Sequence, residues 1–162
     1  VLLKALALVR RKRALTACVV GDGPDIEAFK KLAETLGLGT SVAFPGRLPT
    51  AQALKRGRLL VLPSRAESFP YVVLEAVAGR VPLIASDVGG IAEILPEKNL
   101  CPPDNPDALA RHIEMALAIP VALTQDAKTL SESARVAFDA ETMARNVTDF
   151  YQRLLAHKEN RS

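Results

Sequence analysis

At 162 residues, with 49% hydrophobic and 24% charged content, the chain is long enough for one domain with a substantial core. Aromatics are 4% with no Trp and the net charge is only +3, which excludes a stacking platform for single-stranded nucleic acid, so no nucleic-acid partner is expected. The two cysteines, Cys18 and Cys101, lie far apart without metal-ligand spacing, so no metal is expected and a reduced, cytoplasmic setting is the default.

The opening run, Val1-Leu-Leu-Lys-Ala-Leu-Ala-Leu-Val9, predicts an amphipathic or buried helix over 1–10. It is too short for a signal peptide, carries Lys4 inside the apolar run and lacks a small-residue cleavage pattern. No run is long enough to cross a membrane. The basic cluster Arg10-Arg-Lys-Arg13 reads first as the solvated end of that helix. Peripheral contact with anionic lipid, at the inner face of a membrane, is the second reading.

A strand over 15–20, with Cys18 as core packing, ends at Gly21-Asp-Gly-Pro24. Ile26, Phe29, Leu32, Ala33 and Leu36 then repeat with a 3.6-residue period and predict a helix over 25–36, closed by Gly37 and Gly39. Ser41-Val-Ala-Phe44 reads as a strand, Pro45-Gly-Arg-Leu-Pro49 as a turn, and about 50–56 as a short helix. Apolar residues predict a strand over 58–62. Ser64-Arg-Ala-Glu67 is loop, and Pro70 suits the first turn of a helix over 70–79, where its missing N–H is not needed. Leu83-Ile-Ala85 is the next strand, and Ser86-Asp-Val-Gly-Gly90 leads into a short helix over 90–95 for which Asp87 and Glu93 read as capping acids. A last strand is expected near 99–102. From Asp104 the pattern is helical only: 106–118, 121–137, and a third helix capped by Asp139, with Met143, Val147, Phe150, Tyr151 and Leu154 as its stripe. His112 and His157 fall on these helices, away from every candidate loop.

Strands alternating with helices predict an α/β fold: a Rossmann-like parallel sheet with helices on both faces, here in one domain over 1–162 with a helical extension from 104. Ligands in such sheets gather at the carboxyl ends of the strands. The chemically suggestive segments all follow strands: Gly21 and Gly23, the turn with Pro45 and Arg47, the run from Ser64 to Tyr71, and the Asp87 to Gly90 loop. Gly-Asp-Gly-Pro alone is weak, because Ile26 stands where a dinucleotide fingerprint needs its third glycine.

Glu67-Ser-Phe-Pro-Tyr-Val-Val-Leu-Glu75 is the most informative stretch. It places one acid in a loop and one inside the following helix. Free amides at a helix start favour phosphate, while carboxylates accept hydrogen bonds from sugar hydroxyls. Together they describe a nucleotide-sugar site. Capping and surface charge are the plain explanation for either acid taken alone. Ala76, Val77 and Ala78 beside Glu75 suggest that this acid is largely buried. Arg47 and Arg65 are loop cations for which a diphosphate is one partner, and the first reading of each is a surface charge with no specific role.

Val20-Gly-Asp-Gly-Pro24, Val42-Ala-Phe-Pro-Gly46, Val61-Leu-Pro-Ser64, Glu67-Ser-Phe-Pro with Leu74-Glu-Ala76, Pro82-Leu-Ile-Ala-Ser86 and Gly89-Gly-Ile-Ala-Glu93 occur in a familiar order. By these motifs the chain resembles the C-terminal, donor-binding domain of retaining GT-B glycosyltransferases, the family-four group, over nearly its whole length. The resemblance implies that Glu67 is the catalytic residue, holding donor-sugar hydroxyls beside the reacting carbon. It implies that Glu75 accepts the ribose hydroxyls and that Ser68 and the backbone around Phe69, Tyr71 and Val72 hold diphosphate or sugar. Gly21 and Gly23 fall among the donor contacts, and Pro45 and Arg47 border the nucleobase. The expected donor is a nucleoside-diphosphate sugar, with no separate cofactor, for bacterial polysaccharide or glycoconjugate synthesis. A glycan or lipid-linked acceptor would bind through a domain outside this sequence, leaving the fragment inactive by itself. Within the usual 3-2-1-4-5-6 order the first, central strand is missing, which implies a gap, or filling by a neighbouring chain, between the strands at 15–20 and 58–62. A nucleotide-sugar epimerase of the same fold and a non-catalytic nucleotide-binding module are the competing readings.

Overall fold

The computed structural model describes residues 1–159. Helix α1 (Leu2–Arg10) buries Leu3, Ala5, Leu6 and Val9, a stripe at helical spacing. Past it, the Arg10 guanidinium donates to the carbonyls of Gly37 and Leu38, tying α1 to the segment after the second helix. Lys12 pairs with Glu114 at 2.9 Å, so two of the four clustered cations have partners and Arg11 and Arg13 stay exposed.

Strands β1 (Ala17–Val20) and β2 (Val42–Gly46) run parallel, with Ala17 opposite Val42 and a register shift between Cys18 and Val20. Helix α2 (Ile26–Thr35) crosses between them. A short helix α3 (Thr50–Ala53), continued by a 3-10 turn, leads to β3 (Leu60–Leu62). Helix α4 (Tyr71–Ala78), β4 (Leu83–Ser86) and β5 (Leu100–Cys101) follow, and the second sheet is parallel in the order β3-β4-β5. Helices α5 (Pro106–Ala118), α6 (Pro120–Ala137) and α7 (Ala140–Glu159) complete the described chain. α5 packs along α1, and α6 along α4.

The expected gap is present. Among the described residues β1 bonds only to β2 and β3 only to β4, and residues 2–10 form a helix, not a strand. Yet Ala17 and Val19 of β1 pack on the same core as Leu59, just before β3, and Val61 within it, together with Leu3, Val9, Ile84, Leu109 and Ile113. That cluster therefore joins the two sheets, while a second one, with Val73, Ala76, Leu83, Ala85 and Ile91, lies between α4 and the second sheet. The difference shows in burial: β4, paired on both sides, is buried along its length, whereas every residue of β1 and β3 is half-buried.

Several boundaries move. β3 begins at Leu60, whose N–H donates to the Pro82 carbonyl at 2.8 Å, while Arg58 is exposed loop. Pro45 and Gly46 belong to the end of β2 and not to the turn. Pro70 lies just outside α4, with φ −85° and ψ 69°. Phe29 is 46% exposed and Ala33 alone is buried on α2, because a two-stranded sheet is too narrow to cover the whole stripe. Cys18 is half-buried, and Cys101 is the core cysteine. Met143, Val147, Phe150 and Tyr151 on α7 are exposed, so that stripe is not used in the core. The side chains of Leu154 and His157 lie outside those described. Asp139 does cap α7, accepting from the Thr142 N–H at 2.9 Å. No described helix is long and apolar enough to cross a membrane.

Candidate functional site

The parallel strands deliver their loops to one edge, and these loops fall into two groups. On the first sheet, the Gly21 N–H donates to the Gly46 carbonyl at 2.9 Å, which joins the loop after β1 to the end of β2. Gly21 has φ +139°, a backbone setting that disfavours side chains. Beside this contact Arg47 pairs with Asp22 at 3.0 Å, both well exposed. Gly21, Gly23, Pro45 and Arg47 thus form one surface, in which the arginine already has an acid partner.

On the second sheet, the β3 strand ends at Leu62 and the loop turns at Ser64. The Ser64 hydroxyl donates to Glu67 Oε1 at 2.6 Å, in a half-buried position. Arg65 reaches the other way, to Asp104 at 2.8 Å. Asp104 takes φ 52°, which Asp tolerates better than most residues. Both loop arginines are therefore held by carboxylates rather than standing free for phosphate. Phe69 and Tyr71 are exposed and meet edge-to-face with ring centroids 4.8 Å apart. The Tyr71 N–H turns back onto the Phe69 carbonyl at 3.0 Å. Ser68 is exposed, Val72 half-buried, and Pro70 buried beneath them.

Glu75 is exposed, which corrects the expectation of burial. The buried face of α4 is Val73, Ala76 and Val77. Glu75 stands two residues past Val73, about 200° around the helix, on the opposite side. A carboxylate left in water there is free to accept hydroxyls. The neighbouring acids also differ from expectation. The 3-10 turn Gly89–Glu93 follows Val88 with no side-chain cap, so Asp87 caps nothing and Glu93 sits at its end.

Two residues of the suggestive loops to which the sequence assigns no role of their own touch Glu67. Ser64 is one, and its three-residue spacing before Glu67 was the available signal. Gly89, at the start of the turn after β4, is the other. A methyl group added there would overlap the Glu67 carbonyl oxygen. Clefts of about 460 and 200 Å³ run between α6 and the segments around Pro82 and Pro96, and neither is lined by Glu67, Glu75 or Arg47. Those clefts open near the amino ends of β4 and β5, whereas the loop acids occupy the carboxyl edge. Among the described residues no group of three or more His, Cys, Asp and Glu is placed to hold a metal. His112 is bound within its own helix, Nδ1 to the Ala108 carbonyl at 2.9 Å.

Residues 1–137 match the family described as glycosyl transferases group 1. The chain belongs to that family. It is 34% identical over 141 residues to the putative teichuronic acid biosynthesis glycosyltransferase TuaC of Bacillus subtilis, covering 84% of this chain and 34% of that one. Sucrose-phosphate synthase from Thermosynechococcus elongatus has the same fold, with a TM-score of 0.75 at 28% identity over 96% of this chain and 42% of that one. Anabaena HepE, solved with UDP and glucose, is alike in fold, with a TM-score of 0.75 at 24% identity over 93% and 44% of the two chains. The chain spans 15%, 16% and 32% of the length of three curated relatives. Its Rossmann-like α/β architecture is that of its GT-B glycosyltransferase neighbours.

Proposed function

We propose that this domain binds the nucleoside-diphosphate sugar of a retaining, family-four glycosyltransferase that builds bacterial polysaccharide or glycoconjugate. The observation that carries the proposal is the pairing of two accessible acids on one strand–loop–helix unit. Glu67 is held in the loop by Ser64, and Glu75 is unburied on the next helix. A carboxylate accepts several hydroxyl hydrogen bonds at once, so two of them suit the two hydroxyl-bearing ends of a nucleotide sugar. The likeness to HepE, solved with UDP and glucose, supports the donor class.

In this reading Glu75 accepts the ribose hydroxyls and Glu67 the hydroxyls of the sugar. The exposed backbone around Ser68 and Phe69 faces the diphosphate. Departure of the nucleoside diphosphate leaves positive charge on the sugar ring, and the nearby Glu67 carboxylate stabilises it electrostatically while the acceptor hydroxyl attacks from the same face and gives its proton to the departing diphosphate. The acceptor, a glycan or lipid-linked glycan, binds outside this domain.

Calorimetric titration with UDP and with UDP-glucose tests the proposal. Glu75→Ala is expected to weaken both about 10- to 100-fold, the range of hydrogen bonds to a charged group. Absence of binding in the wild type, or no effect of the substitution, would favour a non-catalytic interaction module.

A further inference from the structure

The Glu67 loop is fixed from two directions by residues that touch no proposed ligand. Ser64 holds one carboxylate oxygen at 2.6 Å from the near side of the same loop. From the far side, Gly89 lies against the Glu67 backbone carbonyl so closely that no Cβ fits between them. Gly89 also has φ +54°, the left-handed region that favours glycine. Its own loop is anchored: the Asp87 N–H donates to the Cys101 carbonyl at 2.8 Å, and the Val88 N–H to the Ser86 carbonyl at 3.0 Å. The Glu67 backbone therefore rests on a turn tied to β4 and β5, while its head is turned by a hydroxyl from the β3 side.

We infer that Ser64 and Gly89 are positioning residues for Glu67, setting the rotamer and the height of the carboxylate that meets the donor sugar. The inference rests on the proposed donor role of Glu67. A Ser64 hydroxyl on Oε1 leaves Oε2 and the remaining lone pairs for sugar hydroxyls, with one orientation already selected. Gly89 sets how far the loop stands from the sheet edge, because any side chain there must push the Glu67 peptide outward. Neither residue reaches Glu75, so the ribose end of the site is independent of both.

Affinities for UDP and UDP-glucose, measured by calorimetry on the same chain, separate these effects. Glu67→Gln, Ser64→Ala, Ser64→Thr and Gly89→Ala are the variants. UDP affinity is expected to stay within about twofold in Glu67→Gln, Ser64→Ala and Ser64→Thr, since UDP carries no donor sugar for Glu67 to hold, and in Gly89→Ala, whose displaced loop also carries the Ser68 and Phe69 backbone, to fall less than UDP-glucose affinity does. UDP-glucose is expected to weaken about tenfold or more in Gly89→Ala and about three- to tenfold in Ser64→Ala, with Ser64→Thr restoring it. Hydrogen exchange of amides 64–69 is expected to quicken in Gly89→Ala without any ligand. Ser64→Ala removes only a half-buried hydroxyl and keeps the test open should Gly89→Ala fail to fold. Loss on Glu67→Gln but none on Ser64→Ala or Gly89→Ala overturns the positioning roles alone. Equal loss of UDP and UDP-glucose in those two variants also overturns them, because it marks general damage. No loss on Glu67→Gln overturns the donor role itself, and the inference with it.

Discussion

Asp22 Oδ1 accepts a hydrogen bond from the Arg47 guanidinium at 3.0 Å, so the glycine loop after β1 and the turn after β2 are joined by charge as well as by backbone. The pair is exposed on both sides, and exposed pairs contribute little to stability. Its consequence is for ligand charge. With Asp22 in place, the cation nearest this loop is already neutralised.

Asp22→Ala is accordingly expected to change unfolding free energy by no more than about 0.5 kcal/mol. UDP affinity is expected to rise a few-fold, roughly, at low ionic strength and to return towards the wild-type value at 0.5 M salt or so, where screening is strong. Titrations at two salt concentrations check this. Unchanged or weaker UDP binding at low salt would show that Arg47 does not serve the diphosphate.

The split sheet predicts a pattern of amide exchange. The Leu60 N–H is bonded across to Pro82, so the Val61 N–H, one residue on, points to the other edge of β3. That edge has no strand beside it in the described chain. Exchange at Val61 is expected to be at least about tenfold faster than at Ala85 in the twice-paired β4, measured residue by residue by NMR. Equal protection of the two amides would mean that β3 has a partner on its open side.

Burial pushes the Cys101 thiol up from its ordinary value of 9.0, with a weaker opposing hydrogen bond from Ser86. The folded protein thus keeps this proton to higher pH than the unfolded chain does. The associated stabilisation is complete below 9.0 and is lost as pH rises through the folded value. Denaturation between pH 7 and 10, roughly, should show stability falling at the alkaline end, and falling less steeply in Cys101→Ala. Native-state alkylation should reach half-buried Cys18 well before Cys101; comparable rates at the two thiols would contradict the burial argument.

The sequence by itself determined the order of strands and helices, because period-2 and 3.6 patterns and Gly/Pro punctuation are local properties of the chain. It also placed Glu67 in a loop and Glu75 in the helix beyond it, and the family motifs located the break between β1 and β3. What only the tertiary structure decided is which partner each polar group meets. Glu75 faces water because the core contacts of α4 fall on Val73, Ala76 and Val77. Arg65 is held by Asp104, 39 residues away, and Glu67 leans on Gly89 in the turn after a different strand. Charge pairing and close backbone approach depend on distances between segments remote in sequence, and no local pattern of residues encodes those distances.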